Sequence, residues 1–167
     1  MASMKIAIVY TGDISQTTDF WHELAGRQDV ELRIWCEVTK SRLSIDEAKK
    51  VLDGLWVHWD YGENVSNIEL AQVEHEIVAF APDFILACGW GADLPSYIAR
   101  SLKLADVPMA LEQHGSLGGY IKMFIARLLL WWRMRRYSAV IVHGAKYDPV
   151  ALADKVIEVA ALHVLHT

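Results

Sequence analysis

The strongest constraint on this chain is an alternation. Short runs of β-branched and other apolar residues recur between longer stretches with helical apolar spacing. Lys5–Tyr10, Val30–Cys36, Leu55–Trp59, Phe84–Cys88, Met109–Glu112 and Ala139–His143 read as strands. Most are continuous apolar runs, the signature of strands buried on both faces in a parallel sheet. The intervening segments read as helices: 19–26, 44–53, 66–80, 93–104, 120–136 and 149–160. Their boundaries come from local chemistry. Ser44 and Glu47 form a capping box, Gly26 and Gly54 are stops, Pro82 closes the third helix, and Asp148-Pro149 opens the last. Strand–helix–strand repetition implies a three-layer α/β sandwich around a mostly parallel sheet of about six strands.

Size and composition agree with one domain. The chain has 167 residues, 53% of them apolar and 22% charged, which excludes a disordered or fibrous protein. No apolar stretch is long enough without a charge to span a membrane. The domain is expected over residues 4–160. Met1–Ser3 read as an expression-vector remnant, and 161–167 as a tail with no turn chemistry, as though the chain were cut short. Cys36 and Cys88 are too few for a disulfide scaffold and are expected as reduced, buried thiols in a cytoplasmic protein.

In an open parallel sheet, ligands bind beyond the carboxyl ends of the strands. That rule selects Gly12 and Asp13 after the first strand, Gly89 and Trp90 after the fourth, and His114, Gly115 and Ser116 after the fifth. Glycine at such exits permits sharp turns or close backbone approach to a ligand; Gly12 also fits a plain strand-to-helix turn. His114 could move a proton or hydrogen-bond a sugar hydroxyl. His143 and His58 read as structural, and His22 and His75 lack partners at metal-ligand spacing, so no metal is expected. There is no spaced-glycine dinucleotide loop and no Walker A sequence.

Charge is distributed unevenly. Between His114 and Tyr147 there is no acid, while Lys122, Arg127, Arg133, Arg135, Arg136 and Lys146 are basic. The chain's net charge is −5, so everything outside that window carries −11. The overall balance argues against nucleic acid; the basic module argues for an anionic partner on one face. Within 120–136, Ile121, Phe124, Ile125, Leu128, Leu129 and Trp132 form one apolar stripe, whereas Met123 and Leu130 lie opposite among Lys122, Arg127 and Arg133. Apolar residues ringed by arginine, with Trp131 near the end, suit an anionic membrane surface. Lys122, Arg127, Trp131, Arg133, Arg135 and Arg136 are the residues expected to meet it. A helix covered by a second domain or a partner protein is the competing reading.

Three segments in order carry a resemblance: Pro82-Asp-Phe-Ile-Leu-Ala-Cys-Gly-Trp90, Val107-Pro-Met-Ala-Leu-Glu-Gln-His-Gly115, and, after the basic helix, Tyr137-Ser-Ala-Val-Ile-Val-His-Gly144. Together they resemble the amino-terminal, Rossmann-like domain of GT-B glycosyltransferases, in particular the retaining family four. The sequence departs from that pattern at Thr11-Gly12-Asp13, with one glycine where two adjacent ones are usual, and at Gly144, where serine is usual. The resemblance implies the acceptor-binding half of an enzyme that moves a sugar from a nucleotide-sugar to a glycan or lipid-linked acceptor. His114 would lie near the transferred sugar, with Gly12, Asp13, Gly89, Trp90, Gly115 and Ser116 around the acceptor. It also implies a peripheral position on the inner membrane face. The nucleotide-sugar would bind only with a carboxy-terminal domain absent here, so the half should be inactive alone. The rival reading is a stand-alone flavodoxin-like or receiver-like small-ligand domain.

Overall fold

The structure is a computed structural model that describes residues 3–12, 17–37, 56–60, 67–88, 93–114, 136–143 and 148–164. In chain order the elements are β1 (Met4–Thr11), α1 (Thr18–Ala25), β2 (Val30–Glu37), β3 (Trp56–Asp60), α2 (Asn67–Phe80), β4 (Phe84–Cys88), α3 (Asp93–Ala99), β5 (Met109–His114), β6 (Ala139–His143) and α4 (Pro149–Val164). The expected helices at 44–53 and 120–136 lie outside the described residues, apart from Arg136.

The six strands form one sheet in the order β3-β2-β1-β4-β5-β6, and every described pairing is parallel. The continuous apolar runs explain themselves here. All five residues of β4 are buried, because Phe84, Leu86 and Cys88 face one core while Ile85 and Ala87 face the other. In β1, Ile6, Ile8 and Tyr10 join the first core, and Ala7 and Val9 the second. The first core is closed by Phe20, Trp21 and Leu24 of α1 and by Leu152, Ala153, Val156 and Ala160 of α4. The second is closed by Leu70, Val73, Ile77 and Phe80 of α2 and by Leu94 and Ile98 of α3. Each core therefore holds one fully buried tryptophan, Trp21 or Trp35. The Trp35 indole donates to Glu76 Oε2 at 3.2 Å, which satisfies its polar atom.

The helix ends follow their sequence signals. Asp148 Oδ1 accepts from the backbone N–H of Val150 and Ala151, both at 3.1 Å, with Pro149 in the first turn. α2 stops at Phe80, and Ala81 takes φ +51° before Pro82. A left-handed residue after the last turn is the usual helix terminator, here supplied by alanine rather than glycine.

Three boundaries differ from the sequence reading. α3 ends at Ala99 instead of Leu104, because Arg100 and Ser101 donate to Tyr97 and Ile98 carbonyls in tightened turns. Leu104 then tucks into the second core while Leu102 stands 90% exposed. β5 continues to His114, which makes that histidine a strand residue rather than a loop residue. α4 continues to Val164, so most of the supposed tail is helix.

The amino rim of the sheet is heavily tied. Lys5 N donates to Asp83 Oδ2 at 2.8 Å, and Asp83 N donates back to Lys5 O at 2.9 Å. Ser138 donates to Met109 O through both its backbone N–H and its hydroxyl. Phe80 lies under two cations, with Arg33 at 4.5 Å and Lys5 at 5.6 Å from its ring centre.

Candidate functional site

Strand order reverses between β1 and β4: β2 and β3 lie on one side, β5 and β6 on the other. The crevice at such a reversal, above the carboxyl ends of the strands, is where open α/β sheets take their ligands. The register shows what floors it. Cys36, Tyr10, Cys88 and Glu112 form one unbroken row across β2, β1, β4 and β5. One pleat deeper, the matching row is Ile34, Ile8, Leu86 and Ala110. The first core thus changes from wholly apolar to polar in a single step, just beneath the strand tips.

Burial dominates the chemistry of this row. It pushes the Cys36 thiol up, and it pushes the Cys88 thiol well up with help from the neighbouring Glu112 carboxyl, to which that thiol hydrogen-bonds. It raises the Tyr10 phenol too, more than offsetting the hydrogen bond with Thr17. All three therefore keep their protons at neutral pH, and neither cysteine is a thiolate nucleophile. The row sets a hydroxyl and two thiols beside one carboxyl group that is only 7% exposed. The Tyr10 ring meets Trp21 edge-on, at 5.2 Å between centres and 85° between planes. The Trp21 indole N–H is buried with no hydrogen-bond partner among the described residues.

Gly12 caps this floor. Its φ is +145°, and a Cβ there would stand 3.0 Å from Tyr10 Oη and 3.3 Å from Cζ. Only glycine can turn the chain this closely over the phenol. Of the other expected site residues, His114 is the last residue of β5, on the same rim. Asp13, Gly89, Trp90, Gly115 and Ser116 lie outside the described residues, as do Lys122, Arg127, Trp131, Arg133 and Arg135. Sequence reasoning missed the Cys36–Tyr10–Cys88–Glu112 row. The polar residue near the end of each of the four strands was visible, but their common level needs the register.

Arg136, expected with the surface cations, sits at the opposite rim. Its guanidinium is half-buried and donates to the carbonyls of Leu104 and Val107, the latter at 2.9 Å. A single guanidinium nitrogen, Nη2, thus bridges two carbonyls of one turn, adding a charged donor to the backbone bond from Val107 N to Leu104 O. A cavity of about 420 Å³ adjoins it, lined by Asp106, Pro108, Arg136, Ser138, Leu162 and His163. That cavity opens at the amino ends of β5 and β6, away from the rim where this sheet type binds ligands.

No family model matches the sequence, and no curated protein matches it. Solved structures do share the fold. A UDP-N-acetylglucosamine 2-epimerase superposes with a TM-score of 0.53 at 12% identity, over 92% of this chain and 45% of its own. MnaA from S. aureus, in a structure with UDP, superposes with a TM-score of 0.51 at 14% identity, over 98% of this chain and 40% of its own. The chain thus has a GT-B-like Rossmann fold. At such identities the likeness speaks for the fold alone, and it narrows the resemblance noted above from family four to the wider architecture. The chain spans less than half the length of these structures. The flavodoxin-like or receiver-like alternative does not survive: those folds order their strands 2-1-3-4-5, not 3-2-1-4-5-6. Among the described residues, no helix is long and apolar enough to cross a membrane.

Proposed function

We propose that this chain is one lobe of a two-lobed sugar-nucleotide-processing enzyme, namely the acceptor-side lobe of a glycosyltransferase working at an anionic membrane surface. One observation carries the reading: nearly the whole chain superposes on under half of a UDP-N-acetylglucosamine 2-epimerase. The floor of Tyr10, Cys88 and Glu112 is polar above wholly apolar layers, a character that suits a hydroxyl-rich ligand better than an apolar one. His114 at the tip of β5 serves as the positioning group near the transferred sugar. Lys122, Arg127, Trp131, Arg133 and Arg135 hold the lobe to a lipid- or glycan-bearing surface. Sugar transfer waits on the second lobe, because the donor must be held against the acceptor across the crevice.

The test is a calorimetric titration of this chain with UDP-N-acetylglucosamine and with UDP. The expected result is no saturable binding, and micromolar binding by the isolated chain would overturn the half-enzyme reading. Sedimentation with vesicles tests the membrane arm. Binding should need anionic lipid, fade with added salt, and disappear in Arg133→Glu/Arg135→Glu. Equal binding to neutral vesicles would sink it.

A further inference from the structure

We propose that the cavity at the amino rim of β5 and β6 is a binding site for a small zwitterion with an apolar body, namely a free apolar α-amino acid such as leucine. At about 420 Å³ it falls within the size range of small-molecule sites. Its lining carries one charge of each sign, Arg136 and Asp106. The two do not pair with each other: among the described residues, no ion pair joins them. They are near enough to interact, since the Asp106 charge works against the burial that lowers the Arg136 guanidinium below its usual range. A cation and an anion that share one cavity without meeting are complementary to a ligand that carries both charges.

The other lining groups sort onto the two ends of such a ligand. Arg136 spends Nη2 on the carbonyls of Leu104 and Val107. Its Nε is buried with no partner among the described residues, which leaves the Nη1 donors for a ligand carboxylate. Ser138 donates its hydroxyl hydrogen to Met109 O at 3.0 Å, so its oxygen keeps lone pairs to accept with. His163 has Nδ1 2.7 Å from Val159 O; a carbonyl only accepts, so Nδ1 bears the hydrogen and Nε2 of the neutral ring is an acceptor. Asp106, Ser138 and His163 thus supply acceptors for an ammonium group, which brings three donors. Leu162, 52% exposed on α4, and Pro108 supply apolar surface for the side chain. A phosphate would meet the Asp106 carboxylate with one lining cation in return, and an uncharged hydrocarbon would leave the half-buried guanidinium without a counter-ion. The proposal does not depend on the sugar-transfer reading, whose crevice lies at the opposite rim.

The test uses the chain as it stands. L-Leucine is titrated calorimetrically at neutral pH, beside 4-methylpentanoate and 3-methylbutylamine, each of which lacks one of its two charges. Leucine should bind at one equivalent. Each analogue should bind about tenfold more weakly or worse, the usual effect of losing one charge-assisted hydrogen bond. Asp106 is exposed, so Asp106→Asn should fold like the parent. It should weaken leucine by about tenfold yet strengthen 4-methylpentanoate, a reversal of sign that a structural defect would not produce. Lys155→Ala, at an exposed position of α4, should change neither affinity. A second measurement needs no variant: leucine should shift the amide resonances of residues 105–109, 138 and 162–163 before those of 10–12 and 86–88. Absence of saturable leucine binding to the unaltered chain would overturn the proposal. So would equal affinity for leucine and either analogue, an effect of Asp106→Asn with the same sign on leucine and 4-methylpentanoate, or shifts that begin at the carboxyl rim.

Discussion

Gly12→Ala probes the floor of the crevice directly. Two costs add. A side chain at φ +145° is strained, and such backbone outliers cost about 1–3 kcal/mol. The new methyl would also stand 3.0 Å from Tyr10 Oη. Tyr10 has little room to yield, since Trp21 meets its ring edge-on and its hydroxyl bonds to Thr17. Overpacking of that kind adds about 1 kcal/mol or more. The expected loss is about 3 kcal/mol. In a domain of this size that lowers Tm by roughly 6–12 °C. Urea unfolding should show the midpoint falling at constant slope. The double variant Gly12→Ala/Tyr10→Phe removes the hydroxyl that the methyl meets. Its loss should be smaller than the sum of the single losses by about 0.5–1 kcal/mol. A Gly12→Ala protein within about 0.5 kcal/mol of the parent would refute the reasoning, because it would mean that the turn relaxes freely.

Two further substitutions test the scaffold. Ala81→Gly should stabilise the chain by about 0.5–1 kcal/mol, because relief of a left-handed alanine at φ +51° exceeds the entropy glycine adds to the unfolded state; an unchanged urea midpoint would count against it. Arg136→Met should cost about 2 kcal/mol by stripping two carbonyls of their charged donor, and chemical denaturation reads that directly. If Arg136→Met unfolds at the parent's midpoint, the guanidinium is not the staple described.

Much of the fold was legible because burial on both faces leaves an unmistakable trace. Phe84–Cys88 was readable as a strand to the residue, and the Asp148-Pro149 opening of α4 follows from capping chemistry alone. The misses have physical causes. Leu102 and Leu104 extend a helical pattern on paper, yet two residues apart they cannot share a helix face, and the chain turns so that only Leu104 is buried. The closing residues looked like a tail because they lack turn signals, and that lack is what allows α4 to run on. At the candidate site, the strand-exit rule pointed to Gly12 and His114, and both lie at the carboxyl rim of the sheet. The Cys36–Tyr10–Cys88–Glu112 row was out of reach, because it depends on which strands are neighbours and at what level. One sequence read along its length contains neither fact.

The fastenings at the amino rim have a consequence for how such a lobe can change. The clasp between Lys5 and Asp83, the double bond from Ser138 and the Arg136 cap all lie at the end of the sheet farthest from the crevice. The fastenings and the candidate crevice thus occupy opposite poles. Loops could be exchanged at one pole while the anchoring pole stays unaltered, so new specificities could arise by grafting at little cost to the rest of the chain.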